Sequence, residues 1–353
     1  MKVFSMFSGI GGFDLAMRNL GHEIIGACEI DKYARKVYAR QFPGVPIHND
    51  ATRLQAESLP QFDVLCAGFP CQAFSIAGKR RGFEDTRGSL FFEIARIAKE
   101  KKPSLLLLEN VKGLLSHDKG ETFRTIISTL DEMGYDAEWQ VLNSKYHVPQ
   151  NRERIFIVGH SRGQRARQVF PLGDHAKETT SKIKHHINAT SQADRVYDTD
   201  GIGPTLGIGN AMSKPLIGVI NDKGTFKEVD KSTCIDANYH KGMDNHGQRT
   251  MIAWSSSGRK GYREERIKIG EANTLTTGDG CKNQSTATYV NEGIKIRKLT
   301  PKECERLQGF PNDWTKYDDD GNIVSDTQRY KMCGNAVTVP VVQYIASHFE
   351  FPS

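Results

Sequence analysis

Residues 3–15 read VFSMFSGIGGFDL, and this stretch decides the fold. An apolar run (3–7) breaks at Ser8-Gly9-Ile10-Gly11-Gly12 and resumes as an amphipathic pattern. Glycines at such a break let the backbone turn tightly and come close to a ligand. Alone, the pattern fits an ordinary strand-to-helix turn equally well. Working outward, four more apolar runs follow: EIIGACE (23–29), FDVLCAG (62–68), SLLLLEN (104–110) and RIFIVG (154–159). Between them LFFEIARIAKEKK (90–102) repeats its apolar residues at helical spacing, and ETFRTIISTLDEMGY (121–135) predicts a helix ending at Gly134. Strands alternating with helices predict an α/β fold with a doubly wound sheet.

The length of 353 residues suits about two domains, and 38% apolar with 25% charged residues is the composition of a soluble globular protein. No run of about 18 apolar residues occurs, and the start lacks the basic and apolar regions of a secretory signal, so a cytoplasmic protein is expected. Seven cysteines, Cys28, Cys66, Cys71, Cys234, Cys281, Cys304 and Cys333, are scattered and never spaced as CxxC. Neither a disulfide framework nor a zinc ribbon is supported, although one of them is free to be reactive.

The net charge of +6 is too modest to establish a nucleic-acid partner. Its distribution says more. From Ser161 to Arg297 there are 21 Lys and Arg against 15 Asp and Glu, so the excess lies there and the rest of the chain is neutral. From about 161 the texture also shifts to Gly, Ser, Thr and Asn, with three loosely similar segments at 202–210, 231–242 and 271–280. Residues 300–311 and 334–349 return to a helical pattern and are expected to pack back on the first unit. The expected division is 1–165, completed by 325–353, and a smaller, mostly β and loop domain over 166–324.

Candidate chemistry sits where the apolar runs end. Glu29 in ACEID and Asp50 in HND follow the glycines, the first about 20 residues on, where an acid suits a ribose hydroxyl pair. The glycine pattern does not closely match a pyrophosphate binder. Gly68-Phe69-Pro70-Cys71-Gln72 follows the run VLCA, and a cysteine at the carboxyl end of a sheet strand is placed to act as a nucleophile. A buried, inert cysteine is the alternative. The polar loop SIAGKRRGFEDTRGS (75–89) comes next, with glycines and basic residues suited to covering a phosphate-bearing substrate or to simple solvation. Glu109-Asn110-Val111 ends another run; burial there would raise the proton affinity of Glu109. In QNRER (150–154) strand alternation puts Arg152 and Arg154 on one face, as a surface stripe or as a grip on a phosphate and a base carbonyl.

The ordered set FSGIGG (7–12), CEID (28–31), GFPCQ (68–72), TRGSLF (86–91), ENV (109–111), QNRER (150–154), RKLTPKECERLQGFP (297–311) and GNAVTVPV (334–341) resembles the DNA cytosine-5 methyltransferase family from one end of the chain to the other. The resemblance implies a Rossmann-like S-adenosylmethionine-dependent methyltransferase domain and, over 161 to about 295, the family's variable target-recognition segment. It implies transfer of a methyl group to carbon 5 of a cytosine flipped from double-stranded DNA, as in restriction-modification systems. Cys71 would add to carbon 6, Glu109 would bond the ring nitrogen and exocyclic amine, and Arg154 would hold the base carbonyl with support from Arg152. Phe69 would accept from the amine through its backbone carbonyl, with Ser75 and Arg87 on the substrate loop. The cofactor would be lined by Phe7, Gly9, Ile10, Gly11, Glu29, Ile30, Asp50, Ala51, Pro70, Leu90, Asn335 and Val337. A monomer without metal or membrane contact is expected, in a prokaryotic or phage-infected cell.

A tRNA-methylating member of the same family shares these motifs; the long basic variable segment favours DNA. Zinc deaminases, which also flip bases, need H-x-E and PCxxC ligands. Here Pro70-Cys71 is followed by Gln72, Ala73 and Phe74, which excludes that reading. A non-catalytic DNA-binding descendant would be expected to lack Cys71 or Glu109, and both are present.

Overall fold

The computed structural model describes residues 1–70, 90–163, 168–172 and 299–349, together with the backbone of six short strands between 216 and 298. Seven strands form one sheet: β1 (Lys2–Met6), β2 (Glu23–Cys28), β3 (Ile47–His48), β4 (Val64–Gly68), β5 (Leu105–Val111), β6 (Tyr135–Asn143) and β7 (Glu153–Ser161). Their order is β3-β2-β1-β4-β5-β7-β6. The first five pair in parallel, and β7 runs antiparallel between β5 and β6. The doubly wound, Rossmann-like expectation holds for the parallel part. The antiparallel pair at one edge, and the strands β3 and β6 themselves, are additions to the sequence reading.

The central strands are near-continuous apolar runs because both faces of the sheet are covered. Alternate residues go to opposite sides. Val64, Cys66, Leu105 and Leu107 join the side packed with α1 (Gly12–Asn19) and α2 (Lys32–Gln41). Leu65, Ala67, Leu106 and Leu108 join the side packed with α3 (Leu90–Lys101) and α4 (Glu121–Glu132).

Three helices complete the first side: α5 (Pro301–Leu307), α6 (Asp326–Asn335) and α7 (Val339–Ala346). The Thr300 hydroxyl and the Glu303 carboxylate cap the start of α5 reciprocally, and Pro301 suits its first turn. Phe310, Trp314 and Val324 share a core with Val3 and Phe13. Trp314 Nε1 donates to the Ile10 carbonyl at 2.9 Å, and Gln41 Nε2 donates to the Trp314 carbonyl at 2.7 Å. Residues 300–311 thus pack back as expected, but the stretch up to 324 does so too. This packing joins Phe310, Trp314 and Val324 to the core beside the sheet.

Within 216–298 six strands form an antiparallel sheet: β8 (Leu216–Ile220), β9 (Thr225–Glu228), β10 (Arg249–Ser255), β11 (Ile267–Lys268), β12 (Thr288–Val290) and β13 (Ile294–Lys298), in the order β11-β9-β8-β10-β13-β12. The three similar segments at 202–210, 231–242 and 271–280 lie outside the described residues. No described helix is long and apolar enough to cross a membrane.

Candidate active site

The turn after β1 holds Phe7 at φ 55°, Gly9 at φ 55° and Gly11 at φ 84°, three left-handed residues within five positions. Positive φ is uncommon for an aromatic residue, so the turn is held in a costly conformation by its surroundings. A side chain at Gly11 would collide with the Phe42 ring, whereas one at Gly9 would project into open space. Gly9 therefore faces room for a ligand.

That room is bordered by Glu29, which is 9% exposed just beyond β2. Its carboxylate accepts from Gly9 N at 2.8 Å and from Asp31 N at 2.7 Å. Burial pushes the carboxyl above its usual range, opposed by the two amides. A carboxylate has about four acceptor positions, so two remain beyond these bonds for a hydroxyl pair. Ile30 beside it is 72% exposed, an apolar side chain in place to lie against a flat ligand face. Asp50 accepts from Thr52 N at 2.9 Å and from Thr52 Oγ1 at 2.7 Å, capping a short turn that begins at buried Ala51. Those bonds hold its carboxyl below the usual range. Hydroxyl acceptor, apolar wall and second acid suit the nucleoside part of S-adenosylmethionine.

A second group forms where β4 and β5 end. Gly68 pairs with Glu109 across the parallel ladder. Phe69 packs on Phe91 with ring centres 5.6 Å apart, and its carbonyl accepts from Asn110 Nδ2 at 2.8 Å. One of that carbonyl's two lone pairs is thereby engaged. Pro70 is exposed at the end of the described stretch, and Leu90 starts α3. Cys71, Ser75 and Arg87 lie outside the described residues.

Glu109 Oε1 is 3.0 Å from Arg154 Nε. Burial raises the Glu109 pKa, and Arg154 and then Arg152 oppose the rise. Arg152, expected to support the site, also bonds the backbone of the C-terminal segment. It is 3% exposed, and its Nη2 donates to the carbonyls of Gly334 at 3.1 Å and Ala336 at 2.8 Å. These carbonyls flank exposed Asn335 and precede buried Val337, whose Cγ1 would lie 2.7 Å from a side chain at Gly12.

Residues given no individual role in the sequence reading fix the same segment. Gln308 donates to the Cys333 carbonyl at 2.9 Å and accepts from Thr338 Oγ1 at 3.0 Å, and its own carbonyl accepts from Val339 N at 2.9 Å. Ser144 Oγ meets Thr338 Oγ1 at 2.8 Å, and Gln150 Nε2 donates to the Leu307 carbonyl at 2.8 Å. The signal available was Gln308 itself, a polar residue inside the apolar spacing of ECERLQGF.

The glycine turn beside Glu29 and the Glu109–Arg154 pair lie at the carboxyl edge of a sheet with the fold of a Rossmann-like methyltransferase. The S. pombe Dnmt2 methyltransferase superposes with a TM-score of 0.64 at 18% identity, over 98% of this chain and 97% of that one. A putative DNA modification methyltransferase from an E. coli prophage gives 0.56 at 21%, over 99% and 98%. At those identities the likeness concerns the fold. The chain belongs to the C-5 cytosine-specific DNA methylase family, whose model matches residues 1–350. Similar relatives are the type II methyltransferases M1.ScrFI of Lactococcus lactis subsp. cremoris, 36% identical over 98% of this chain and 77% of its own length, and M.Bsp6I of Bacillus sp. (strain RFL6), 35% over 99% and 98%. M.HhaI of Haemophilus parahaemolyticus is 34% identical over 98% and 93%.

Proposed function

We propose that this DNA methyltransferase acts on carbon 5 of a cytosine flipped out of duplex DNA, with Cys71 as nucleophile. The observation that carries the reading is the Glu109–Arg154 pair, partly buried beside the Gly68-Phe69-Pro70 end of β4 that leads into Cys71. The target atom is inaccessible within a stacked duplex, so the base must leave the stack at a cost of a few kcal/mol. Carbon 5 is a weak nucleophile until the Cys71 thiolate adds to carbon 6 and makes an enamine. Glu109, whose proton affinity burial increases, bonds the ring nitrogen and exocyclic amine as charge develops there. Arg154 holds the base carbonyl and keeps the rise in Glu109 limited. The Phe69 carbonyl has a lone pair left for the amine. Loss of the carbon 5 proton and departure of Cys71 complete the sequence.

S-adenosylmethionine, when bound, supplies the electrophilic methyl group. Glu29 would hold its ribose, Asp50 its adenine amine and Ile30 a face of the ring, with Phe7, Gly9, Ile10, Gly11, Ala51, Pro70, Leu90, Asn335 and Val337 lining the rest. We assign Arg152 to this side of the site, as the holder of the 334–337 turn. Residues 173–298 carry target recognition, supported by their basic excess and variable texture. We read the protein as a cytoplasmic monomer that acts on double-stranded DNA with S-adenosylmethionine and no metal. The tRNA reading has less support, since relatives at 34–36% identity are named type II methyltransferases.

The test is covalent trapping. A duplex with 5-fluorocytosine at the target should be methylated but not released, and the adduct should survive denaturing electrophoresis on the peptide containing GFPCQAF. Cys71→Ser should abolish the adduct and keep duplex binding, because a hydroxyl is a far poorer nucleophile than a thiolate. Trapping through another cysteine, or efficient turnover by the serine variant, would overturn the mechanism. Preference for tRNA in direct competition would reverse the choice of substrate.

A further inference from the structure

The chain leaves the catalytic sheet after β7, turns at Gly163, and is next described at 168–172, QVFPL. This short stretch adds no strand to the sheet. Its backbone is instead held by side chains of β6. Glu138 Oε1 accepts from Val169 N at 2.8 Å and Glu138 Oε2 accepts from Phe170 N at 2.8 Å. His160 Nε2 of β7 lies 2.6 Å from the same Oε1. Two residues along β6, Gln140 Oε1 accepts from Leu172 N at 2.8 Å, while its Nε2 donates to the Leu172 carbonyl at 3.0 Å. Val169, Phe170 and Leu172 are buried in the core shared with Phe156 and Val158.

Glu138 and Gln140 share one face of β6, as alternation requires. On the opposite face Trp139 packs edge-on against Phe123. The geometry is that of a peptide strand imitated by two side chains: an acceptor pair, then an acceptor with a donor. Past Leu172 comes the segment that we read as recognising DNA. Its far end is also fastened, since the Leu299 carbonyl accepts from Tyr330 Oη at 2.6 Å and Thr300 is capped by Glu303.

We infer that Glu138, with Gln140, is a positioning residue for target recognition: it fixes where the recognition segment departs from the catalytic sheet, and so sets how faithfully the DNA site is read. Base-edge contacts depend on bidentate geometry, which a small displacement of the supporting chain degrades. Neither residue is among those assigned to the cofactor or the flipped base. The inference rests on reading 173–298 as the recognition segment.

The test uses the full-length protein after its methylation site has been mapped on plasmid DNA. Glu138→Gln keeps size but replaces one acceptor oxygen by an NH2 that faces a backbone N–H. Gln140→Ala removes the second contact. Asp136→Asn, on the same face but paired with Arg162, is the control. For the first two variants the rate ratio between the mapped site and sites differing by one base pair should fall about tenfold, the size of effect that loss of a backbone-anchoring hydrogen bond brings. The KM for DNA should rise, with S-adenosylmethionine affinity unchanged. Unaltered discrimination would overturn the inference, as would a parallel loss of cofactor affinity, which marks general loosening. Replacing 173–298 with the corresponding residues of M.HhaI separates the two ideas. If the site does not move, the recognition reading fails; if it moves while Glu138→Gln stays faithful, only the anchoring role fails.

Discussion

Glu109 and Arg154 reach each other from antiparallel neighbours, with Glu109 Oε1 3.0 Å from Arg154 Nε, although Arg154 is paired in register with Val111. The contact is a diagonal one across the ladder. It leaves Glu109 pulled in two directions, upward in pKa by burial and downward by the guanidinium.

Removing the guanidinium should leave burial opposed by Arg152 alone. Arg154→Leu is expected to lower kcat by about a hundredfold, the order of loss seen when one preorganised donor to developing charge is removed. It should also shift the Glu109 titration upward, visible as an alkaline displacement of the corresponding limb in the pH–rate profile. An unmoved profile with normal turnover would show that the pair is not part of the chemistry.

Arg152 should behave differently from Arg154 although both arise from QNRER. Its contacts are with the carbonyls beside Asn335, so Arg152→Lys is expected to raise the KM for S-adenosylmethionine more than it lowers kcat. Steady-state kinetics with both substrates varied will separate the two arginines. A pure kcat defect in Arg152→Lys would restore it to the base pocket.

Glu29→Ala should weaken S-adenosylmethionine binding by on the order of 1–3 kcal/mol, and it should also lower thermal stability, because the Gly9 and Asp31 amides lose their acceptor. Asp50→Asn retains an oxygen to cap Thr52, whereas Asp50→Ala does not, so the asparagine variant isolates the ligand contribution. Calorimetry showing normal affinity in Glu29→Ala and Asp50→Asn would remove both from the cofactor pocket.

Asp14 gives a pH prediction distant from catalysis. It is fully buried in α1, accepts from Tyr38 Oη at 3.1 Å, and is pushed by burial up to about 6, against the pull of the Ser5 and Tyr38 hydroxyls. Its folded pKa exceeds the unfolded value, so the folded state binds the proton more tightly and stability falls as pH rises from about 4 to about 6. Asp14→Asn removes that cost while keeping an acceptor for Tyr38. Urea unfolding should show the variant more stable by about 1–3 kcal/mol at pH 8, with the gap shrinking toward pH 4. A gap that widens on acidification would contradict this sign.

The parallel strands were legible because burial on both faces wrote them as uninterrupted apolar runs, VLCAG and LLLLENV among them. β6 was not, and the reason is visible in its residues. YDAEWQVLN carries Glu138 and Gln140 on the face that holds another stretch of chain, and Trp139 on a face left half open, so its hydrophobic alternation is blurred. β7 runs antiparallel both to that strand and to β5, a direction that the apolar run RIFIVG does not carry. Glu29 and Glu109 could be picked out because they end apolar runs. The Gly334 and Ala336 carbonyls that Arg152 bonds lie 182 and 184 positions away, a separation that no local pattern encodes.

The packing of Trp314, Phe310 and α7 against α1 has a consequence for synthesis on the ribosome. All seven strands of the catalytic sheet have been made by Ser161, yet the C-terminal residues that share the core of Ile10 and Phe13 begin only at Phe310. At roughly 5–20 residues per second the intervening stretch takes on the order of ten seconds to emerge. During that interval each nascent chain presents the apolar side of α1 without its C-terminal cover, and that is when a chaperone has most to bind.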